Sequence, residues 1–175
     1  MYPQMRAIAD RLDRFAEGTG RLVAWLTLGM VAITFSVVVL RYLFHGGSIA
    51  LQESITYLHA TLFMLCAAWT LKQDGHVRVD IFYCKLGPRG RAWIDLLGTL
   101  LLLFPVCGFI LYSSLDYVAA SWSVHEGSQE AGGLDAVFLL KTAIPVMAVL
   151  LLLQGCAMIL NNLLLISGHN PPDKS

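Results

Sequence analysis

Apolar positions in this chain collect into four long runs, at 22–44, 49–71, 94–117 and 139–166, with short polar stretches between them. A helix that crosses a bilayer needs about 20 mostly apolar residues, and each run meets that length. The pattern therefore predicts an all-α fold, an integral membrane four-helix bundle. Pro105 and Pro145 interrupt the third and fourth runs. Neighbouring helices or water satisfy the carbonyl that a membrane proline frees, so kinks are expected there and not breaks.

The polar stretches divide the chain. Residues 1–21 form an N-terminal segment, 22–166 a single four-span membrane domain, and 167–175 a tail. In the first segment Met5, Ile8, Leu12 and Phe15 recur at steps of three and four. That spacing suits a short amphipathic helix lying in the membrane interface, the alternative being a solvated tail. The first run is too long for the core of a cleaved signal peptide, and no Ala-x-Ala-type site follows it. After the second run comes KQDGHVRVDIFYCKL, residues 72–86. Its charges end the span, because no embedded position would accept so many, and Gly75 is placed to break the helix. Two readings of the rest are open. An extended V-R-V-D-I segment would pair with a partner or another loop. A short interfacial helix would run through Ile81, Phe82 and Leu86 to Gly87-Pro88, with Pro88 opening the third span.

Basic residues give the orientation. Ten lysines and arginines flank the N-terminus, the 72–91 region and the C-terminal tail, against two, Arg41 and Lys141, at the opposite ends of the spans. Cytoplasmic flanks attract lysine and arginine, so both termini and the middle loop are expected in the cytoplasm. The HGGS turn at 45–48 and the acidic loop from about 118 to 136 then face outward. Trp25, Trp69, Trp93 and Trp122 fall near the interfaces, as an aromatic belt would place them.

Composition agrees. The chain is 57% hydrophobic and 14% charged, with a mean hydropathy of +0.65. A soluble domain carries about 25% charged residues. Net charge is zero, so no basic field points to nucleic acid. The four cysteines, at 66, 84, 107 and 156, form no CxxC pair, and three lie in apolar runs as small hydrophobes do.

Few polar groups lie inside the spans. Arg41, near the end of span one, and Glu53, one turn into span two, come to similar depth across a short turn. They either form an ion pair, or Arg41 snorkels to the outer headgroups while Glu53 bonds a partner chain. Glu53 as an ion or proton site is a third reading, with Tyr57, His59 and Thr61 nearby. A bis-histidine haem needs two facing histidines at one depth, and only His59 lies deep in a span, so no cofactor is expected. Asp116 and Lys141 meet at the outer loop, as a pair or as separate boundary charges. Gln154 is placed mid-membrane, where an unpartnered amide is costly, and is read as a helix–helix hydrogen bond within the chain or to a partner.

RYLF at 41–44, QESITY at 52–57, DGHVRVD at 74–80 and the four-span topology together resemble the small, DctQ-like membrane subunit of tripartite ATP-independent periplasmic (TRAP) transporters. The resemblance spans roughly 20–166. The segment at 126–145 is similar to a branch associated with mannitol or chloroaromatic compounds, but Asp135 stands where that branch carries proline, which leaves the substrate open. The resemblance implies a bacterial inner-membrane protein without catalytic residues, a scaffold for a large sodium-coupled transport subunit. A periplasmic binding protein would deliver organic anions, and lipids would surround both chains. Two other readings are a membrane anchor of a redox enzyme and a self-sufficient homodimeric transporter. The expected contact with the large subunit is the face of span two bearing Glu53, Tyr57, Ala60, Thr61, Met64 and Ala68. The cluster Asp74, His76, Arg78 and Asp80 either joins that contact or locks the loop to its own helix ends.

Overall fold

The computed structural model describes residues 2–76 and 83–168. Among them there are helices and no strands, and four helical segments are long and apolar enough to cross a membrane. The first, α1, runs Tyr2–Leu43 without interruption. The N-terminal segment is helical, but it is not a separate short helix: it continues directly into the first span. At 42 residues and 1.5 Å per residue, α1 is about 63 Å long, roughly twice the hydrocarbon thickness. Its first half therefore has to extend beyond the apolar slab or along its surface.

The second span, α2, is Ile49–Lys72. Ser48 caps its start by accepting from the Leu51 N–H. Its end is a Schellman closure. Gly75 N–H donates to the Thr70 carbonyl at 2.9 Å and Asp74 N–H to that of Leu71 at 3.2 Å. The residue that takes the left-handed turn is Asp74, at φ 54°. Gly75 was expected to break this helix, but it closes the hydrogen bond instead. The charged cluster thus ends the span by backbone geometry as well as by desolvation cost. Residues 77–82, with Arg78 and Asp80, lie outside the described residues, as does the choice between a strand and a helix there. A short 3₁₀ turn at Tyr83–Lys85 follows.

Pro88 then opens α3, Pro88–Gly98, as its first residue. Thr99–Leu103 takes π register, and α4, Phe104–Ser123, completes a continuous rod. The Phe104 N–H reaches five residues back to the Thr99 carbonyl. This extra residue sits directly ahead of Pro105, whose missing N–H disturbs α-helical bonding at that point. The last span, α5 (Val137–Ile166), passes Pro145 as one helix.

Helix α5 packs against α1, α2, α3 and α4, while α1 packs on α2 and α5. It is the most buried of the four spans, and α1 and α2 are the least. The contacts are made by small side chains. Ala9, Ala68, Ala92, Ala148 and Ala157 are almost fully buried, and Gly20 and Gly155 sit at close crossings. Large side chains such as Phe35, Phe63, Leu101 and Phe109 stay exposed. A water-soluble bundle would reverse this, since its large apolar groups drive burial. In lipid there is no such drive, and helices associate through close packing of small residues.

Candidate functional site

Polar side chains gather at two levels of the bundle. One is the loop face, which carries the 44–48 turn and the 124–136 loop. The other is the terminus face.

At the loop face Glu53 is the centre. Its Oε1 accepts from the Ser128 hydroxyl and its Oε2 from the Leu134 N–H at 2.7 Å. Ser128 N–H in turn donates to the Leu134 carbonyl at 3.0 Å, which closes the loop on itself. Gly133 has to be glycine here, because a Cβ would stand 2.7 Å from Glu53 Oε2 and closer still to Ser128. Charge-assisted bonds of this type are about twice as strong as neutral ones. Glu53 therefore bonds the 124–136 loop of its own chain, and the Arg41–Glu53 pair, one of the readings left open by the sequence, does not form. Arg41 is exposed at the end of α1, where its long side chain is free to snorkel. Tyr57, one turn further along α2, buries a hydroxyl that has no partner among the described residues.

A second anchor holds the same loop. Lys141 forms an ion pair with Glu126, and Ser121 donates to Glu126 Oε2 at 2.7 Å. The Lys141 ammonium also lies 4.1 Å from the centre of the Tyr117 ring. Lys141 thus pairs with Glu126 and not with Asp116, which stays exposed. Trp122 Nε1 donates to Thr142 at 2.9 Å, and its ring meets Phe138 edge-on at 4.7 Å. The Lys141 hydrogen bond, chiefly, and that of Ser121 hold the Glu126 carboxyl below the usual carboxylate range. A lowered carboxyl pKa stabilises the folded loop at neutral pH, and that contribution fades as pH falls through the lowered value. Two results are expected. Glu53→Ala lowers hydrogen-exchange protection at Ser128 and Leu134 while the helices keep theirs. In a variant whose single tryptophan is Trp122, emission shifts on acidification below the ordinary carboxylate range. An unmoved loop in both measurements would contradict this anchoring.

At the terminus face Asp13 is the centre. Gln154 Nε2 donates to its Oδ1 at 2.9 Å, and Asn161 Nδ2 to its Oδ2 at 3.4 Å. Gln154 is 2% exposed, and its carbonyl oxygen has no partner among the described residues. The expected helix–helix bond of Gln154 is thus made within the chain, to α1. Beside it Lys72 bridges from α2 to Glu17 at 2.7 Å, and Arg21 also reaches Glu17. Asp13 was not anticipated as a partner. The signal was present: Ala9, Asp13, Ala16, Gly20 and Val23 recur at steps of four and three on one face of α1, and all but Asp13 are buried. Ser128 and Gly133 were also missed. Their loop offers no periodicity to read.

The face of α2 predicted to meet a partner turns inward, since Glu53 bonds the loop and Ala68 is 1% exposed. In α2 the exposed residues are Ile49, Gln52, Thr56, His59 and Phe63. His59 stacks on Phe63, with 6.5 Å between ring centres. Among the described residues no group of three histidine, cysteine or acidic side chains is arranged to hold a metal ion. Asp74 and His76 are exposed beyond the end of α2.

The model of the DctQ component of tripartite ATP-independent periplasmic transporters matches residues 30–165. The chain belongs to the DctQ family. It is accordingly the small permease subunit of a TRAP transporter and a multi-pass membrane protein. Members of this family work with the DctM and DctP components of the complex. No curated protein matches the sequence. The match begins inside α1, after Asp13, and ends at the close of α5, so it includes Glu53, the loop lock and the open stripe of α2.

Proposed function

We propose that this DctQ subunit is a stationary scaffold for the large, sodium-coupled membrane subunit in the uptake of organic anions. A soluble binding protein brings the substrate to the loop face. Both termini lie in the cytoplasm of a bacterial cell, and the four spans cross its inner membrane. In the sequence, ten of the twelve lysines and arginines fall in the N-terminal segment, the 72–91 region and the C-terminal tail, which supports that orientation.

One observation carries the scaffold role. Glu53 is the acidic side chain best placed inside an apolar span to serve an ion, yet loop donors occupy both of its oxygens. Gln154 and Lys141 are likewise engaged with Asp13 and Glu126. A transport site needs several polar groups converging on a vacant point. Here the strongest ones hold the chain's own helices and loop together. The test is anion uptake by vesicles that contain the large subunit and the binding protein, with and without this chain. Uptake by this chain alone would overturn the proposal.

A further inference from the structure

The outward face of α2 carries a polar line that reaches the middle of its span. On the exposed face of α1, Thr27 and Thr34 stand among Leu22, Trp25, Val31 and Phe35, and the rod of α3 and α4 shows Leu101, Leu102 and Phe109. On α2 the exposed residues run Ile49, Gln52, Thr56, His59, Phe63, in steps of three, four, three and four. This is a seam one residue wide, with the spacing that a single helix packs against knobs-into-holes. Three of its five side chains are polar. Gln52, Thr56 and His59 make no side-chain hydrogen bond among the described residues, whereas Ser54 and Thr70 on the same helix bond the carbonyl four residues back.

Depth makes this costly. His59 lies ten residues into α2, which is about 15 Å from its end and near the middle of a hydrocarbon core of about 30 Å. Headgroups can reach Gln52 but not His59, and acyl chains offer no hydrogen-bonding group at all. At His59 the seam opens into a groove of about 250 Å³ that runs past Leu62, Phe63, Cys66, Ala67 and Thr70 to His76. Cys66, Ala67 and Thr70 are small enough to allow a close helix approach there.

We infer that this seam is the docking line for one transmembrane helix of the large subunit. That helix presents hydrogen-bonding side chains or unwound backbone to Thr56 and His59, and a bulky apolar side chain to the groove. The inference rests on the scaffold reading and deepens it. Faces of α1 and α4 then belong to lipid.

The test is photocrosslinking in the co-expressed complex. A benzophenone amino acid is placed in turn at Thr56, His59 and Phe63, with Phe35 and Phe109 as controls. Each tagged variant is also checked for co-purified large subunit. The expected result is a crosslinked band of both chains from the α2 positions and none from the controls. The triple variant Gln52→Leu, Thr56→Leu, His59→Leu is expected to keep its own expression and lose most of the co-purified subunit. If the large subunit co-purifies but crosslinks only at Phe35 or Phe109, the seam is wrong and the scaffold reading stands. Crosslinks from α2 to lipid alone, or to a second copy of this chain, would also overturn the seam. If no large subunit co-purifies, the scaffold reading fails and the seam with it.

Discussion

Gly20→Ala is expected to destabilise the α1–α2 pair, although alanine is the better helix former. The alanine methyl would stand 2.5 Å from Trp69 Cγ and 2.7 Å from Cβ and Cδ2 of the same side chain. Helix propensity favours alanine over glycine by about 1 kcal/mol. Overpacking a rigid contact costs about 1–3 kcal/mol, and more where the neighbour cannot move. Trp69 is a poor candidate to move, since its Cβ, fixed to the α2 backbone, is one of the close atoms and its indole N–H is buried. Steric cost therefore wins, and Gly20→Val is worse. Thermal unfolding in a fixed detergent measures it, with Trp69→Ala as the relieving background. The cost of Gly20→Ala should shrink when Trp69 is gone, as expected for two groups in contact. A higher melting temperature for Gly20→Ala alone would show that the helices are not in this close contact.

The second large effect is an asymmetry at Asp13. Asp13→Ala leaves the buried Gln154 amide without its acceptor, in addition to the carbonyl oxygen that already lacks a donor. An orphaned buried polar group costs about 1–3 kcal/mol. Replacing both partners by apolar groups of similar shape removes that penalty. The double variant Asp13→Ala, Gln154→Leu is thus expected to be more stable than Asp13→Ala alone. The same unfolding assay reads the pair. Strictly additive losses would mean that Asp13 and Gln154 do not depend on each other, and that the N-terminal half of α1 is not fixed to α5 through them.

Both predictions concern contacts that the sequence only partly discloses. The four spans were legible because length and apolar content alone settle their number, but the helices that hold the first and third run well past the apolar stretches, from Tyr2 and over Pro88–Ser123. The start of α3 at Pro88 was legible too, since proline fits the first turn of a helix. Rotation of a span about its axis was not. The inward face of α2 was expected to meet a partner because it holds Glu53, Tyr57 and Ala68. Those residues are equally suited to packing within the chain, and hydropathy does not separate the two cases. The partner of Glu53 was hidden for a different reason. Arg41 is close in sequence and opposite in charge, but Ser128 and the Leu134 N–H come from a loop some eighty residues away, whose path no periodicity reveals. The small-residue stripe of α1 did carry a readable signal. Asp13 stands in line with Ala9, Ala16 and Gly20, and a lone carboxylate on such a stripe points to a polar partner across the interface.

These observations describe a subunit whose interior polarity holds its own shape, and whose α2 exposes a line of polar side chains, Gln52, Thr56 and His59. Uptake of an organic anion by proteoliposomes tests that account most directly. The large subunit and binding protein are supplied with this chain, without it, or with this chain alone. The account predicts sodium-dependent uptake only when the two membrane chains are combined, with Glu53→Ala reducing the amount of assembled complex but not the sodium dependence of what remains. Uptake by this chain alone, or a Glu53→Ala complex that assembles fully and has lost its sodium dependence, would place the transport path in this subunit and contradict the scaffold role.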